Sequence, residues 1–513
     1  MLLSSLLLGG APAGAAEQLD VHLDGLILPL DLRQLEDWSR SPTSPQGDLG
    51  VWMTALDAGS REDLARLLRA PLLRDRSLGQ QLLQSWAGRQ VVAEVGELIS
   101  AEGGGSGELL LSSLRELLRR QAQVNVLDLL RAVPVQRLTL QLDGLISLAD
   151  RWRHQLQEQG RAMERLRQLS LPLTVSPAEA TAGGRVGSGD LADRPPAPER
   201  LSLPVAHRPG PLPLLLWRAR PERQRHWVLL MPGLGGSAEQ LDWLGAELAA
   251  RGWSVVALEH PGSDEKAVKE LLDGRRPLPG AETLPDRLAD LEAVLDAERS
   301  GRLPRLGDSV VLMGHSLGGL SALLAAGLRP EPGLGRRCQR ALDAIPLINL
   351  SRLLQCQLEQ VNLPPARTSV PVAGVVAFNG FGSLLWPHRG LQRLKVPVLL
   401  LGGSLDLVTP PVTEQLDLFL PANHPLSRLV VVDGASHFSP VRLPSREQAL
   451  FKIGDALVGV EPLQAQALML QLTTGFLAGL DQGRGLPAQK LQRERVTAYV
   501  LDAEAAEHWR LGP

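Results

Sequence analysis

The stretch Val310-Val-Leu-Met-Gly-His-Ser-Leu-Gly-Gly319 limits what the chain can fold into more than any other. Four apolar residues lead into Gly314-His-Ser-Leu-Gly318, and apolar positions at helical spacing follow at Leu320, Leu323, Leu324 and Leu328. Strand, G-x-S-x-G, helix is the context in which this spacing carries chemistry. A serine at so sharp a turn holds a strained backbone angle, and a side chain two residues away on either side would clash. Gly314 and Gly318 remove that clash, so the Ser316 hydroxyl can stand free at the end of a sheet. The Leu317 N–H then opens a helix, where developing negative charge is favoured, which makes it a candidate oxyanion donor. A glycine-rich turn around an ordinary serine is the competing reading, and the rest of the chain argues against it.

From about residue 171 the pattern is β, then alternating β and α. Residues 201–207 and 212–218 read as an opening antiparallel pair, and strands follow at 227–231, 253–258, 310–313, 372–378, 396–401 and 428–432. Helices are expected at 238–251, 284–298, 412–420 and 446–457. Such alternation argues an α/β fold with a mainly parallel sheet covered on both faces. Two further groups lie after strands of this sheet. Asp406 follows the strand at 396–401, in Gly402-Gly-Ser-Leu-Asp-Leu-Val-Thr-Pro410, and His437 follows the strand at 428–432, in Asp433-Gly-Ala-Ser-His-Phe438. Carboxyl ends of parallel strands share one edge, so Ser316, Asp406 and His437 can converge there. The order Ser, Asp, His suits a nucleophile, a carboxylate that fixes the imidazole tautomer, and a base. Asp433 sits in the histidine's own loop and reads as structural. The turn Pro232-Gly-Leu-Gly-Gly236 should supply a second oxyanion donor, from Leu234 or Gly235. It lacks the spacing of a dinucleotide loop and the lysine of a phosphate loop.

These stretches together resemble the α/β-hydrolase superfamily. The residues that carry the resemblance are Met231-Pro-Gly-Leu-Gly-Gly236, Glu259-His-Pro-Gly262, Gly314-His-Ser-Leu-Gly-Gly319, Asp406 and Ser436-His437. Within it the chain is most similar to the branch of platelet-activating-factor acetylhydrolases and dienelactone-hydrolase-like proteins. The resemblance spans about residues 200–460 and implies a serine esterase. In the acetylhydrolases the leucine of Gly-Leu-Gly supplies an oxyanion N–H, which corresponds to Leu234. Their acid follows the strand that here is 372–378, where this chain has Asn379 and offers Asp406 one strand later.

Residues 17–150 read as a small, mostly helical domain without a catalytic constellation. It resembles the domain of unknown function that precedes such hydrolases in some bacterial proteins. Asp31 should cap a helix at 32–38, Ser60-Arg-Glu-Asp63 should open another, and further helical periods run over 82–86, 91–99 and 109–118, interrupted by the glycine-rich loop 102–107. The pentapeptide Leu23-Asp-Gly-Leu-Ile27 recurs as Leu142-Asp-Gly-Leu-Ile146, which suggests two strands bracketing the unit. Residues 151–199 read as a connecting helix and linker, 330–371 as an apolar lid-like insertion, and 461–513 as a C-terminal extension.

At 513 residues, 44% apolar, with net charge −3, the chain is globular and has no basic surplus for nucleic acid. No apolar run reaches the roughly 18 residues of a membrane span. Residues 1–16 have an apolar core at Leu2–Leu8 and an Ala13-Gly-Ala15 pattern, though no positive start. They predict a cleaved signal and export to a periplasmic or other extracytoplasmic compartment, with a cytoplasmic location as the alternative. Cys338 and Cys356 form no metal pattern; they could be bridged in an exported protein and would be buried thiols in a cytoplasmic one. The expected function is cleavage of carboxylic, lipid-like esters through an acyl-enzyme on Ser316, with no cofactor and no metal. The alternatives are an acyl hydrolase of amides or thioesters, and a non-catalytic binding protein that keeps the fold.

Overall fold

The computed structural model describes residues 15–42, 48–54, 56–73, 81, 84–101, 106–121, 123–176, 197–219, 225–343, 346, 348–365, 367–442 and 459–512. The expected signal segment up to residue 14, the helix at 446–457, the start of that at 82–86, most of the glycine-rich loop and most of the linker before residue 200 lie outside them. The chain divides into two compact units. One holds Met1–Arg153, Glu270–Leu278 and Asp343–Ile345, and the other holds the rest.

The first unit contains β1 (Gln18–Leu23), β2 (Leu26–Asp31), β3 (Pro71–Leu73), β4 (Ile99–Ala101), β5 (Val124–Asn125) and β6 (Arg137–Gln141). Four of them form a sheet in the order β2-β1-β6-β4, and β3 pairs with β5. Asp24 and Gly25, at φ 48° and 77°, make the two-residue turn that an Asp-Gly pair favours, so the single strand expected near residue 23 is a hairpin. Asp31 caps the helix Leu32–Arg40 as expected, accepting the Arg33 and Gln34 N–H groups at 2.8 and 3.0 Å. The next helix, Ala58–Arg69, starts earlier than expected. Asp57 rather than Ser60 is its cap, accepting the Ser60 N–H at 2.9 Å. The second pentapeptide is not a strand. It opens the long helix Leu142–Gln168, with Asp143 in the first turn, where a carboxylate is favoured. Asp143 also accepts the Asp24 N–H at 3.0 and 3.2 Å, so the two copies meet as hairpin turn and helix start. Leu19, Leu32, Leu118, Val124 and Leu138 lie in this unit's core.

The second unit is built on β7 (Leu173–Val175), β8 (Glu199–Leu203), β9 (Leu212–Trp217), β10 (His226–Met231), β11 (Val255–Leu258), β12 (Ser309–His315), β13 (Val372–Phe378), β14 (Val398–Gly403), β15 (Arg428–Val432), β16 (Gln489–Arg493) and β17 (Val496–Leu501). They form one sheet in the order β7-β16-β17-β15-β14-β13-β12-β10-β11-β9-β8. The central run from β11 to β15 is parallel. Both faces are covered, and β12 shows how. Val310 and Leu312 face a cluster with the helices Leu284–Arg299 and Leu317–Ala325, while Val311 and Met313 face one with Asp242–Ala250 and Pro462–Gln482. A strand buried on both sides reads as an unbroken apolar run. The C-terminal extension contributes β16 and β17 to this sheet. β17 pairs antiparallel with β15 from Leu429↔Leu501 to Val432↔Ala498, beside the strand that leads to His437.

Within 330–371 lie two helices, Leu334–Ala341 and Ser351–Gln357, joined by the disulfide Cys338–Cys356. Glu414, fully buried, is the anchor of the second helix. It accepts from Asn349 Nδ2 at 2.6 Å, Gln355 Nε2 at 3.1 Å, and the Gly382 and Ser383 N–H groups at 2.9 and 3.0 Å. A bridge across a sequence separation of 18 restricts the unfolded chain by about 3 kcal/mol in the chain-entropy account. The Cys338→Ser/Cys356→Ser protein should therefore unfold at a lower urea concentration by that free energy, and a reductant should shift the parent alone. Equal midpoints for parent and variant under oxidising conditions would speak against the bridge.

Candidate active site

Ser316 sits between β12 and its helix at φ 51°, ψ −116°, a conformation that L residues avoid unless their surroundings impose it. Here backbone imposes it. A Cβ on Gly314 would lie 2.3 Å from the Gly318 carbonyl carbon, and one on Gly318 would lie 2.3 Å from the Met231 oxygen. Only glycine allows this approach, so the turn is locked between β10, β12 and the helix start.

The structure brings Ser316, His437 and Asp406 together. Ser316 Oγ is 3.0 Å from His437 Nε2, and His437 Nδ1 is 2.9 Å from Asp406 Oδ2. All three are buried, Asp406 completely. With the proton on Nδ1, the imidazole donates to Asp406 and leaves Nε2 to accept from the serine. Asp406 is held by more than the histidine. Its Oδ1 accepts the Val408 and Thr409 N–H groups at 2.8 Å each, and its Oδ2 accepts from the Thr409 hydroxyl at 2.6 Å and Asn379 Nδ2 at 2.7 Å. Burial pushes this carboxyl up, but the His437 charge and these hydrogen bonds outweigh it and hold it down at about 2. Asp433 is turned elsewhere, to Arg167 at 2.9 and 3.0 Å and to the Ser404 hydroxyl at 2.8 Å.

The two oxyanion candidates are arranged unequally. Leu317 opens its helix, so its N–H is one of the donors that a helix start leaves free. In the other turn, the Gly236 N–H donates to the Gly233 carbonyl at 3.3 Å with Gly235 at φ 73°, a β-turn with glycine where positive φ is required. The Gly235 N–H is taken up by the Ser263 carbonyl at 2.7 Å, which leaves Leu234 as the available donor of the pair. The turn passes directly over Ser316, since a Cβ on Gly233 would stand 3.3 Å from Ser316 Cβ.

Three supporting groups escaped the sequence reading. His315 Nε2 donates to the His437 carbonyl at 2.8 Å and so pins the histidine loop from beside the serine. Burial and the nearby His437 charge depress its imidazole to about 3, which keeps it neutral. Thr409 stands within 3.2 Å of His437 Nδ1 as well as bonding Asp406. Its signal was present, because an Asp followed three residues on by Thr is a common side-chain-capped turn. Glu259 lies in the loop after β11 and accepts the Ala238 N–H at 2.8 Å, holding the helical turn that follows the Leu234 loop.

Residues 228–451 match the alpha/beta hydrolase family, and residues 15–141 match a family model described as an alpha/beta hydrolase of unknown function. The chain thus belongs to the α/β-hydrolase superfamily. Among characterised proteins it is similar to Cutinase 2 of Thermobifida cellulosilytica and to the cutinase Cut1 of Thermobifida fusca. Each is 22% identical over 221 residues, or 42% of this chain. The chain spans 60% of the first and 50% of the second. These matches support the superfamily and leave the acetylhydrolase branch without support.

Burial, helped by neighbouring acids and opposed by the Ala238 N–H, raises the Glu259 carboxyl from 4.5 to about 7. For an acid raised in the folded state, the stabilising contribution is complete below 4.5 and is lost as pH rises through 7. Glu259→Gln, which keeps an acceptor for Ala238 and never ionises, should be nearly neutral at pH 4.5. At pH 8.5 it should stabilise, by up to roughly 3 kcal/mol. Urea titrations at the two pH values measure the difference, and an effect independent of pH would refute it.

Proposed function

We propose that this protein is a serine hydrolase that cleaves carboxylic esters through an acyl-enzyme on Ser316. The observation that carries the reading is the position of His437, 3.0 Å from the Ser316 hydroxyl and 2.9 Å from Asp406. Ser316 Oγ attacks the ester carbonyl as His437 Nε2 takes its proton, and Asp406 stabilises the imidazolium and fixes its orientation. The Leu317 and Leu234 N–H groups receive the oxyanion of the tetrahedral intermediate. His437 passes the proton to the departing alkoxide, which leaves as alcohol. Water, deprotonated by the same imidazole, then attacks the acyl-enzyme, releases the acid and returns the proton to Ser316. The similarity to cutinases, which are carboxylic ester hydrolases, supports ester cleavage.

A fluorophosphonate probe should label Ser316 in the parent. Ser316→Ala should remove the label and lower kcat on a short-chain ester by several decades with the fold intact. Asp406→Asn leaves the geometry but mis-sets the imidazole, and should cost about 10⁴ in kcat. A probe adduct elsewhere, or an alanine variant as fast as the parent, would sink the assignment.

The acyl side is best served by a hydrophobic chain. Leu405 and Leu407 flank Asp406 and are 47% and 37% exposed, and Leu350 of the insertion is 39% exposed. The Asn349 N–H donates to the Leu407 carbonyl at 2.9 Å, which sets Leu350 against that loop. Apolar side chains left open beside a polar catalytic group suit an apolar substrate part. Extending the acyl group from acetyl to hexanoyl should raise kcat/KM, by at most about fourfold per CH₂ if fully buried. Leu350→Asp should flatten that series. A profile flat in the parent would instead assign these residues to packing.

A further inference from the structure

We infer that Arg287 is a positioning residue for the oxyanion turn, setting the Leu234 N–H through Pro232 and Ser263; the inference rests on the serine-hydrolase reading of the site. Arg287 lies on the helix Leu284–Arg299 and is fully buried. Its Nη2 donates to the Pro232 carbonyl, and its Nη1 donates to the Ser263 hydroxyl at 2.8 Å. Both acceptors belong to the mounting of one turn. Pro232 enters it, and the Ser263 carbonyl receives the Gly235 N–H at 2.7 Å from its far side. The guanidinium therefore grips the turn at both ends, and Leu234 lies between.

A buried guanidinium is expensive, and packing alone would be served as well by methionine. The charges of Asp290, Glu259 and Asp264 favour its cation against the cost of burial, but no direct ion pair among the described residues fixes where its donors point. Asp290, one turn further along the same helix and also fully buried, is occupied by other groups. It receives Arg208 Nη2 at 2.6 Å, His207 Nε2 at 2.7 Å and His260 Nδ1 at 2.9 Å. Among the described residues Arg287 makes no direct ion pair and turns its donors to a backbone carbonyl and a hydroxyl. A rigid planar fork fixes two acceptors at once, which a neutral or flexible side chain does not.

What it fixes matters for the chemistry. The Pro232 carbonyl is also what a Cβ on Gly318 would strike, at 2.7 Å. The same atom thus touches the nucleophile turn on one side and Arg287 on the other. An oxyanion donor works only if it is already aimed where charge will develop. Freeing the Pro232 carbonyl lets the peptide units on either side of Leu234 rotate, while Ser316, His437 and Asp406 stay in place.

The test is made on the full chain, with an ester and the thionoester in which sulfur replaces the carbonyl oxygen. Oxyanion donors aimed at oxygen discriminate against the larger, weaker-accepting sulfur, so the oxo/thiono ratio of kcat reports their placement. Arg287→Met should lower kcat for the ester by about 10- to 100-fold, leave KM within about threefold, and reduce the oxo/thiono ratio in proportion. Arg287→Lys keeps the charge but offers one ammonium for two acceptors, and its ratio should fall between the two. A folded Arg287→Met with parental kcat overturns the inference, and so does a loss of kcat at an unchanged oxo/thiono ratio. If the methionine variant does not fold, the lysine variant decides, and a parental ratio there overturns it. A parent that takes no fluorophosphonate on Ser316 fails the hydrolase reading itself, a different outcome from either.

Discussion

Backbone packed directly on backbone around Ser316 is the constraint on which the rest of the site depends. Gly314 and Gly318 let the end of β12, the start of its helix and the exit of β10 approach to distances that no Cβ tolerates. Three consequences follow from that one contact. The serine is forced to φ 51°, which lifts its hydroxyl clear of the sheet. The helix start is brought in line with it, so that free N–H groups lie beside the Ser316 hydroxyl. The Pro232 turn is laid across the top. None of these needs a favourable interaction at Ser316 itself. The strain there is sustained by the large apolar layers on both faces of the sheet.

Steric and local features were legible in the sequence, and long-range polar ones were not. β13 and β15 fall on the expected residues because unbroken apolar runs between turn residues leave little choice. The chain order of Ser316, Asp406 and His437 was readable for a similar reason, since the parallel sheet fixes the edge at which strands end. His315 and Arg287 gave no signal, because their roles depend on carbonyls 122 and 55 residues away in sequence. The pentapeptides misled for a physical reason. Leu-Asp-Gly-Leu-Ile has no fixed secondary structure. After β1 its Asp-Gly closes a hairpin, and after β6 its Asp starts a helix, and the flanking chain decides. β16 was missed because Gln489-Lys-Leu-Gln-Arg493 looks polar, and only its pairing with the apolar β17 makes it a strand.

The insertion and the acid loop form one polar assembly, which bears on what a cover over the site could do. Glu414 takes donors from Asn349 and Gln355 on the insertion side, and from Gly382 and Ser383 after β13. The Asn349 and Ser351 N–H groups bond the Leu407 and Val408 carbonyls, directly beyond Asp406. Fully satisfied buried networks rigidify their surroundings, and removing one member strands the others. A lid that swung freely would break this network at the carboxylate it supports. The disulfide pins the two insertion helices to each other on the same side. The geometry therefore favours a rigid insertion, with any adjustment confined to exposed side chains such as Leu350.

The position of Asp406, one strand beyond where the acetylhydrolase pattern would put a carboxylate, goes with the residue that stands at the earlier strand end. Asn379 stands at the end of β13 at φ 51° and points its amide at Asp406 Oδ2, 2.7 Å away. Two carboxylates at that separation would repel, and one would hold its proton well into the working range. The amide does the opposite. It donates to the oxygen that also accepts from His437, and so favours the ionised form that orients the imidazole. Asp406 in turn needs that help, because burial alone would push its carboxyl up. Thr409 and the Asx-type turn complete its coordination from within its own loop. A carboxylate at one strand end and an amide at the next are thus a complementary pair. The amide helps to hold Asp406 ionised beside His437.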